Sequence, residues 1–256
     1  MKSAGRGGNM KSLLRIRRPR RRRAPQVVTP REPYVTPPRV PDAALHAMQR
    51  LRYQVYCLEQ HFVDAACCTD GRESDEYDPH SMHFAAATDT GEVVATLRLV
   101  LDSTLGFPLE RHALSLLDER PRGERARTGE VSRLIIASRY RSSTIREPLI
   151  LFGLFRHLYE ESWRLGLDYL IAAMEGKLAR LLRRLGFHFA QLGDPISYFG
   201  EVIPYGAPLA TMRPGYRRII EYQRSCVGGG RPPFRYFRVS SDRLAGARRG
   251  ERRDCA

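Results

Sequence analysis

A charged pair set inside a β-branched apolar run restricts how this chain can fold more than any other feature. Residues Gly129-Glu130-Val131-Ser132-Arg133-Leu134-Ile135-Ile136-Ala137 have the content of a strand buried in a sheet, yet Glu130 and Arg133 carry ionic groups to the edge of the core. A buried charge costs free energy unless it is neutralised by a partner or shifts its pKa, so the run predicts either an ion pair or a tuned acid or base. Arg139, Arg141, Ser142, Ser143 and Thr144 then form a donor-rich turn into a helix. Strand, basic turn, helix is an order that binds anions.

Around this strand the periodicities alternate. Asp42 is an N-cap for an amphipathic helix over about 43–58, with Leu45, Met48, Leu51, Val55 and Leu58 at helical spacing. Asp89-Thr90-Gly91-Glu92 reads as a hairpin turn joining strands over Met82–Ala87 and Val93–Leu101. A short helical pattern covers 109–119. Pro148 opens a helix reaching about Leu165, and a strand over Leu167–Met174 precedes a Leu-rich helix stopped by Gly186. A strand starting at Phe187–Leu192, a broken strand region over 200–213 and a final helix over 215–225 follow. The predicted class is α/β, a mixed central sheet with early antiparallel pairing and later crossovers, flanked by helices.

The net charge of +15 is concentrated at the ends. Residues 1–40 hold 12 Lys/Arg against one Asp/Glu, residues 231–256 hold 8 against 3, and residues 41–230 hold 23 against 24. The sequence therefore predicts a disordered basic arm over 1–40, one folded domain over 41–230 and a basic tail over 231–256. A near-neutral body without interleaved aromatic and basic residues predicts no specific nucleic-acid binding. Cys57, Cys67, Cys68, Cys226 and Cys255 contain no C-x-x-C pair, and the seven histidines lack H-x-x-x-H spacing. A reduced, cytoplasmic chain without a metal site is expected. No apolar run approaches the roughly 20 residues that span a bilayer, so no transmembrane segment is expected.

Read in order, the chain presents Arg52-x3-Tyr56, Phe62, Glu73-x-Asp75-x-Tyr77-Asp78, Arg98-Leu99, Phe107 and Glu130-x-Ser132-Arg133. This set resembles the acyl-homoserine-lactone (autoinducer) synthases over roughly residues 45–140. Beyond it, Ala173-Met174-Glu175, Leu181-Leu182-x-Arg184-Leu185-Gly186 and Pro204-Tyr205-Gly206 resemble long-chain relatives, the N-acyl amino acid synthases and the PEP-CTERM/exosortase system-associated acyltransferases. The resemblance implies the GNAT acyltransferase fold, whose sheet splays after its fourth strand, here Glu130 to Ala137, to admit a pantetheine arm.

Acyl transfer from a thioester needs a deprotonated amine, a polarised carbonyl and a held pantetheine phosphate. By the resemblance, Glu130 binds the amine or acts as base, Asp75 and Asp78 attract and hold the cationic acceptor, and Arg133 and Arg98 lock those carboxylates. Arg139, Arg141, Ser142 and Ser143 would hold the phosphate. Arg52, Tyr56 and Phe62 would organise the site, and Phe107 and Trp163 are candidates for an acyl pocket. Glu73 and Glu76 read as solvated or structural, and His83 as a core histidine. The turn lacks the Gly-x-Gly of relatives that bind coenzyme A, which favours an acyl carrier protein as donor.

The sequence thus predicts an N-acyltransferase moving a long-chain fatty acyl group from acyl carrier protein, or coenzyme A, to the amine of an amino acid or similar small amine. No permanently bound cofactor is expected, the acyl-phosphopantetheine thioester being a co-substrate. The alternatives are a lactone synthase using S-adenosylmethionine and, in another class, a nucleic-acid-binding or non-catalytic protein with basic tails.

Overall fold

The computed structural model describes residues 41–68, 70–112, 125–141, 146–227 and 233–240. The arm expected over 1–40, most of the short helix expected over 109–119, and Ser142 and Ser143 lie outside the described residues. Helix α1 (Pro41–Tyr53) passes directly into a π-helical stretch, Gln54–Glu59. The expected amphipathic helix is therefore present with a change of pitch, a feature frequent near functional sites. Met48, Val55 and Cys57 are its buried apolar residues, and Gln49 and Arg52 are buried beside them.

The sheet is built from β1 (Ser81–Ala87), β2 (Val93–Leu101), β3 (Thr128–Ile136), β4 (Tyr169–Met174), β5 (Ala190–Gln191), β6 (Ile196–Ser197), β7 (Glu201–Pro208) and β8 (Arg235–Ser240). Their order across it is β5-β7-β4-β3-β2-β1-β8, with β6 paired to β7. Helices α2 (Arg146–Arg164), α3 (Gly176–Leu185) and α4 (Arg213–Val227) complete the described architecture. Cross-strand register puts Phe84 opposite Leu97, and Met82 opposite Leu99. These residues pack with Ile150, Leu154 and Leu158 of α2 in the main core, each full burial contributing about 1.5–3 kcal/mol. The alternate residues of β2, Arg98 and Val100, face the other side of the sheet with Tyr77, Phe107, Leu109 and Ile171. That second side carries the site.

Two irregularities of β3 shape it. Leu99 pairs with Val131 and Arg98 with Ser132, but Thr96 pairs with Ile135, so β3 spends one extra residue there. Arg133 sits in this bulge with φ of 52°, and its carbonyl accepts the Thr96 hydroxyl at 3.0 Å. In an unbroken strand Ser132 and Arg133 would point to opposite faces; a bulge re-aims one of them. Further along, β3 and β4 run parallel through Thr128–Tyr169, Gly129–Leu170 and Glu130–Ile171, and no pairing follows. The strands part just after Glu130, where the expected splay belongs.

Several boundaries differ from the sequence reading. Arg235–Ser240, assigned to the basic tail, is an edge strand antiparallel to β1. Its Tyr236 hydroxyl donates to the Leu149 carbonyl at 2.7 Å, and its ring lies where a Cβ on Gly153 would stand, so α2 requires glycine there. Basic composition concealed this pairing. The region over 200–213 contains one continuous strand despite Pro204, whereas Phe187–Leu192 yields only the two-residue β5. Gly186, with φ of 92°, ends α3 as expected.

Candidate active site

Arg52, Glu73, Arg133, Asp75, Arg98 and Asp78 form a closed ring of alternating charge. Arg52 Nε pairs with Glu73 Oε2, and Arg133 Nη2 reaches Glu73 Oε1 at 2.8 Å and Asp75 Oδ2 at 2.9 Å. Arg98 Nη1 bridges Asp75 Oδ1 and Asp78 Oδ1 at 2.5 and 2.6 Å. Arg52 Nη1 closes the circuit on Asp78 Oδ1 at 2.9 Å. The members come from α1, the 73–78 loop, β2 and β3. Gln49 also donates to Asp78 Oδ2 at 3.2 Å, and Arg98 Nε to the Ser132 hydroxyl at 3.0 Å.

Burial alone would raise the carboxylates of the ring; the guanidinium charges outweigh it. Asp78 is held well below the usual range by Arg52 and Arg98, Glu73 is lowered by Arg133 and Arg52, and Asp75 by Arg98 and Arg133. His83, also on this face, is driven the other way by burial, down to about 4 despite Asp78, so it is neutral at physiological pH. Its Nε2 lies 3.1 Å from the Asp78 carbonyl.

Glu130 stands outside the ring. It is 1% exposed, and burial raises its carboxyl to about 8 against the opposing influence of a backbone N–H and of Arg98 and Arg133. That N–H is Leu109's, 2.8 Å from Oε2. Glu130 lines a cavity of about 440 Å³ in the gap between β3 and β4. The cavity has a polar end, with Glu130, Ser132, Arg133, Tyr56, Tyr198 and Phe199, and a mainly apolar end with Leu134, Phe155, Met174, Leu178, Leu182 and Phe189; Glu175 and Lys177 line it as well. A carboxyl group that titrates near neutrality, beside an apolar slot opened by parting strands, can take a proton from an amine attacking a thioester.

Comparison with known proteins agrees with this chemistry. The family model described as N-acyl amino acid synthase FeeM matches residues 47–224. The chain belongs to the FeeM N-acyl amino acid synthase family. An acyl-homoserine-lactone synthase of Rhizobium radiobacter is 28% identical over 186 residues, covering 69% of this chain and 86% of that relative. Two solved CoA-dependent acyl-homoserine lactone synthases share the fold. MesI aligns at a TM-score of 0.55 and 21% identity, over 75% of this chain and 91% of its own. BjaI, solved with SAM and isopentyl-CoA, aligns at 0.54 and 20%, over 69% and 82%. This FeeM-family chain is an acyltransferase, and its reaction is acyl transfer to an amine.

In this synthase Arg52, Asp75, Asp78, Arg98 and Arg133 meet in the ring, with Tyr56 against Arg133, whose Cζ is 5.3 Å from the Tyr56 ring centre. Phe62 lines the cavity. Two of the acyl-pocket candidates lie elsewhere. Phe107 is buried in the cluster with Tyr77 and Leu109, and Trp163 is 44% exposed on α2 against Tyr159. Helical and loop aromatics look alike in sequence whichever way they point. Arg139 pairs with Glu92 of the β1–β2 hairpin. Arg141 donates to the Ile136 carbonyl at 2.7 Å and to Glu59 at 3.1 Å. A phosphate at this turn must exchange with those carboxylates.

Two residues, Tyr198 and Phe199, escaped the sequence reading of this FeeM-family member, and a third was read without its partners. Glu73 was expected to be solvated or structural; it is structural, 2% exposed, and joins Arg52 to Arg133. A count of charges could have found it, since three buried arginines demand a third carboxylate besides Asp75 and Asp78. Tyr198 and Phe199 carry no charge and belong to no spaced motif.

Proposed function

We propose that this synthase moves a long-chain fatty acyl group from acyl carrier protein to the α-amine of an amino acid in the cytoplasm, with Glu130 accepting the proton of the attacking amine. The observation carrying this reading is the place of Glu130, at the point where β3 and β4 part and in the lining of the cavity that opens there. The amine nitrogen attacks the thioester carbon and its proton passes to Glu130; collapse of the tetrahedral species breaks the C–S bond, and return of that proton from Glu130 to the leaving sulfur releases the pantetheine thiol. The acyl chain lies along Leu134, Met174, Leu178 and Phe189. Asp75 and Asp78 act here as countercharges: both Asp75 oxygens are bonded to arginines and the ring sums to zero, so acceptor recognition falls to Glu130. The ring holds Arg133 in place at the cavity's polar end.

Acyl carrier protein is favoured over coenzyme A by the composition of the turn after β3, which has no Gly-x-Gly and whose Arg139 and Arg141 are engaged by Glu92 and Glu59. A donor that docks through a protein surface depends less on a preformed diphosphate cradle. The test incubates purified protein with hexadecanoyl carrier protein or hexadecanoyl coenzyme A and, separately, the common amino acids or S-adenosylmethionine, and identifies products by mass spectrometry. N-acyl amino acid formation is the expected result. The second reading, a lactone synthase, rests on the 28% identity to the Rhizobium radiobacter protein; lactone with methylthioadenosine and no acylated amino acid would establish it instead.

A further inference from the structure

The polar end of the cavity is closed by a hairpin that no charged motif announces. β6 and β7 pair through Ile196–Val202 and Ser197–Glu201, leaving Tyr198, Phe199 and Gly200 as a three-residue loop in which the Tyr198 N–H donates to the Gly200 carbonyl at 2.9 Å. Gly200, with φ of 99°, suits such a loop, but Phe199 has φ of 51°. Left-handed backbone at a bulky residue persists only where the surroundings hold it. Here they do. The Phe199 ring stacks on Tyr56 with centres 5.6 Å apart and planes 16° apart, and it lies within 6.4 Å of Phe62. Arg133 Cζ is 4.7 Å from its centre. Tyr198 stacks on His112 at 4.1 Å, and the Arg133 charge opposes the burial that raises its hydroxyl.

Arg133 is thus fixed from two directions. Glu73 and Asp75 take its N–H groups on the sheet side, while the loop supplies the ring face of Phe199. We infer that the Tyr198–Phe199 loop is a positioning element for acceptor binding, in which the π face of Phe199 holds Arg133 at the polar end of the cavity and closes that end over the amine. The inference rests on the reading of Glu130 as the amine-facing group. Its chemistry is specific: a guanidinium over an aromatic face is attracted by the ring quadrupole, which an aliphatic side chain of similar bulk lacks. Phe199 touches Tyr56, Phe62 and Arg133, so its loss is expected at the acceptor and not along the thioester chain among Leu134, Phe155 and Phe189.

The experiment measures kcat, acceptor KM and donor KM for wild type, Phe199→Leu, Phe199→Tyr and Glu130→Gln. The donor is hexadecanoyl carrier protein, and the acceptor is whichever common amino acid gives the highest turnover when offered singly. Phe199→Leu is expected to raise acceptor KM about tenfold, the size of one guanidinium–ring contact, with donor KM unchanged, and Phe199→Tyr, which keeps the ring, is expected to restore it. Equal kinetics for Phe199→Leu and wild type would overturn the inference, as would a change confined to donor KM or equal loss in both Phe199 variants. An inactive Glu130→Gln together with an unaffected Phe199→Leu would remove this inference and leave the base intact. Full turnover by Glu130→Gln would remove both.

Discussion

The backbone N–H of Leu109 donates to Oε2 of Glu130 at 2.8 Å, and it is the one hydrogen bond recorded for that carboxyl among the described residues. A single N–H is too little to offset complete burial, so the group stays near 8 instead of falling with its neighbours in the ring. The consequence is a carboxyl group whose charge changes with pH near the physiological range, and the proposed base role carries that dependence with it.

Below about 8 Glu130 is protonated and cannot accept a proton; above it the carboxylate forms. kcat/KM for amine acylation should therefore rise with pH along a limb centred near 8, which a pH–rate profile with carrier-protein donor will read. Glu130→Gln should abolish most of the rate and, with it, this limb. A limb of unchanged midpoint and amplitude in the variant would assign it to the acceptor's own amine.

The same shift predicts a stability change of opposite sign to the activity change. Glu130 has a folded pKa above its unfolded value, so its contribution is full below roughly 4.3 and is lost as pH rises to about 8. A glutamine pays no such ionisation penalty. Glu130→Gln should melt higher than wild type at pH 9, with a much smaller difference at pH 5, as scanning calorimetry at both values will determine.

Breaking the ring should be severe. Asp78 is bonded to both Arg52 and Arg98, and Asp78→Asn leaves two buried guanidinium groups short of one countercharge, at a cost of about 3–5 kcal/mol. Urea denaturation at pH 7 measures it. Because the carboxylates of Glu73, Asp75 and Asp78 are all lowered, their stabilisation is present above the unfolded pKa of about 4 and is lost as pH falls below it. The deficit of Asp78→Asn should accordingly shrink in acid.

Cutting the chain after residue 230, where its composition turns basic, should destabilise it. That cut removes β8, exposes the whole edge of β1 from Met82 to Ala87 and empties the space beside Gly153 that Tyr236 fills. Lower melting temperature and aggregation through the bared edge are expected, whereas a chain ending after Ser240 should keep the edge strand. Equal melting of the two would show that β8 contributes nothing.

Sequence alone reaches far here because ionic residues in apolar company are rare. Glu130 and Arg133 stood out for that reason, and the spacing of Arg52, Asp75, Asp78 and Arg98 located the rest of the charged assembly. Periodicity recovered the helices and the hairpin, and Gly186 marked the end of α3. Where pattern and contact part company the reading failed. Trp163 and Phe107 gave no sign of which way they faced, the arginines of Arg235–Ser240 hid a strand, and Phe199 acquires its role from a left-handed turn that a single sequence does not display. Asp75 and Asp78, expected to attract the cationic acceptor, stand in the ring bonded to arginines.

The alternation of the ring also bears on how such a site can change over generations. Each member touches two neighbours of opposite sign, so any one replacement strands a pair of buried charges, and no conservative single step leads out. A lineage can drift at the apolar end of the cavity, exchanging Leu134 or Leu178 for other hydrocarbons at small cost, while the six ionic positions move together or not at all. Novel chain-length preferences are then reached by ordinary mutation, and departures from the amine chemistry require a valley to be crossed.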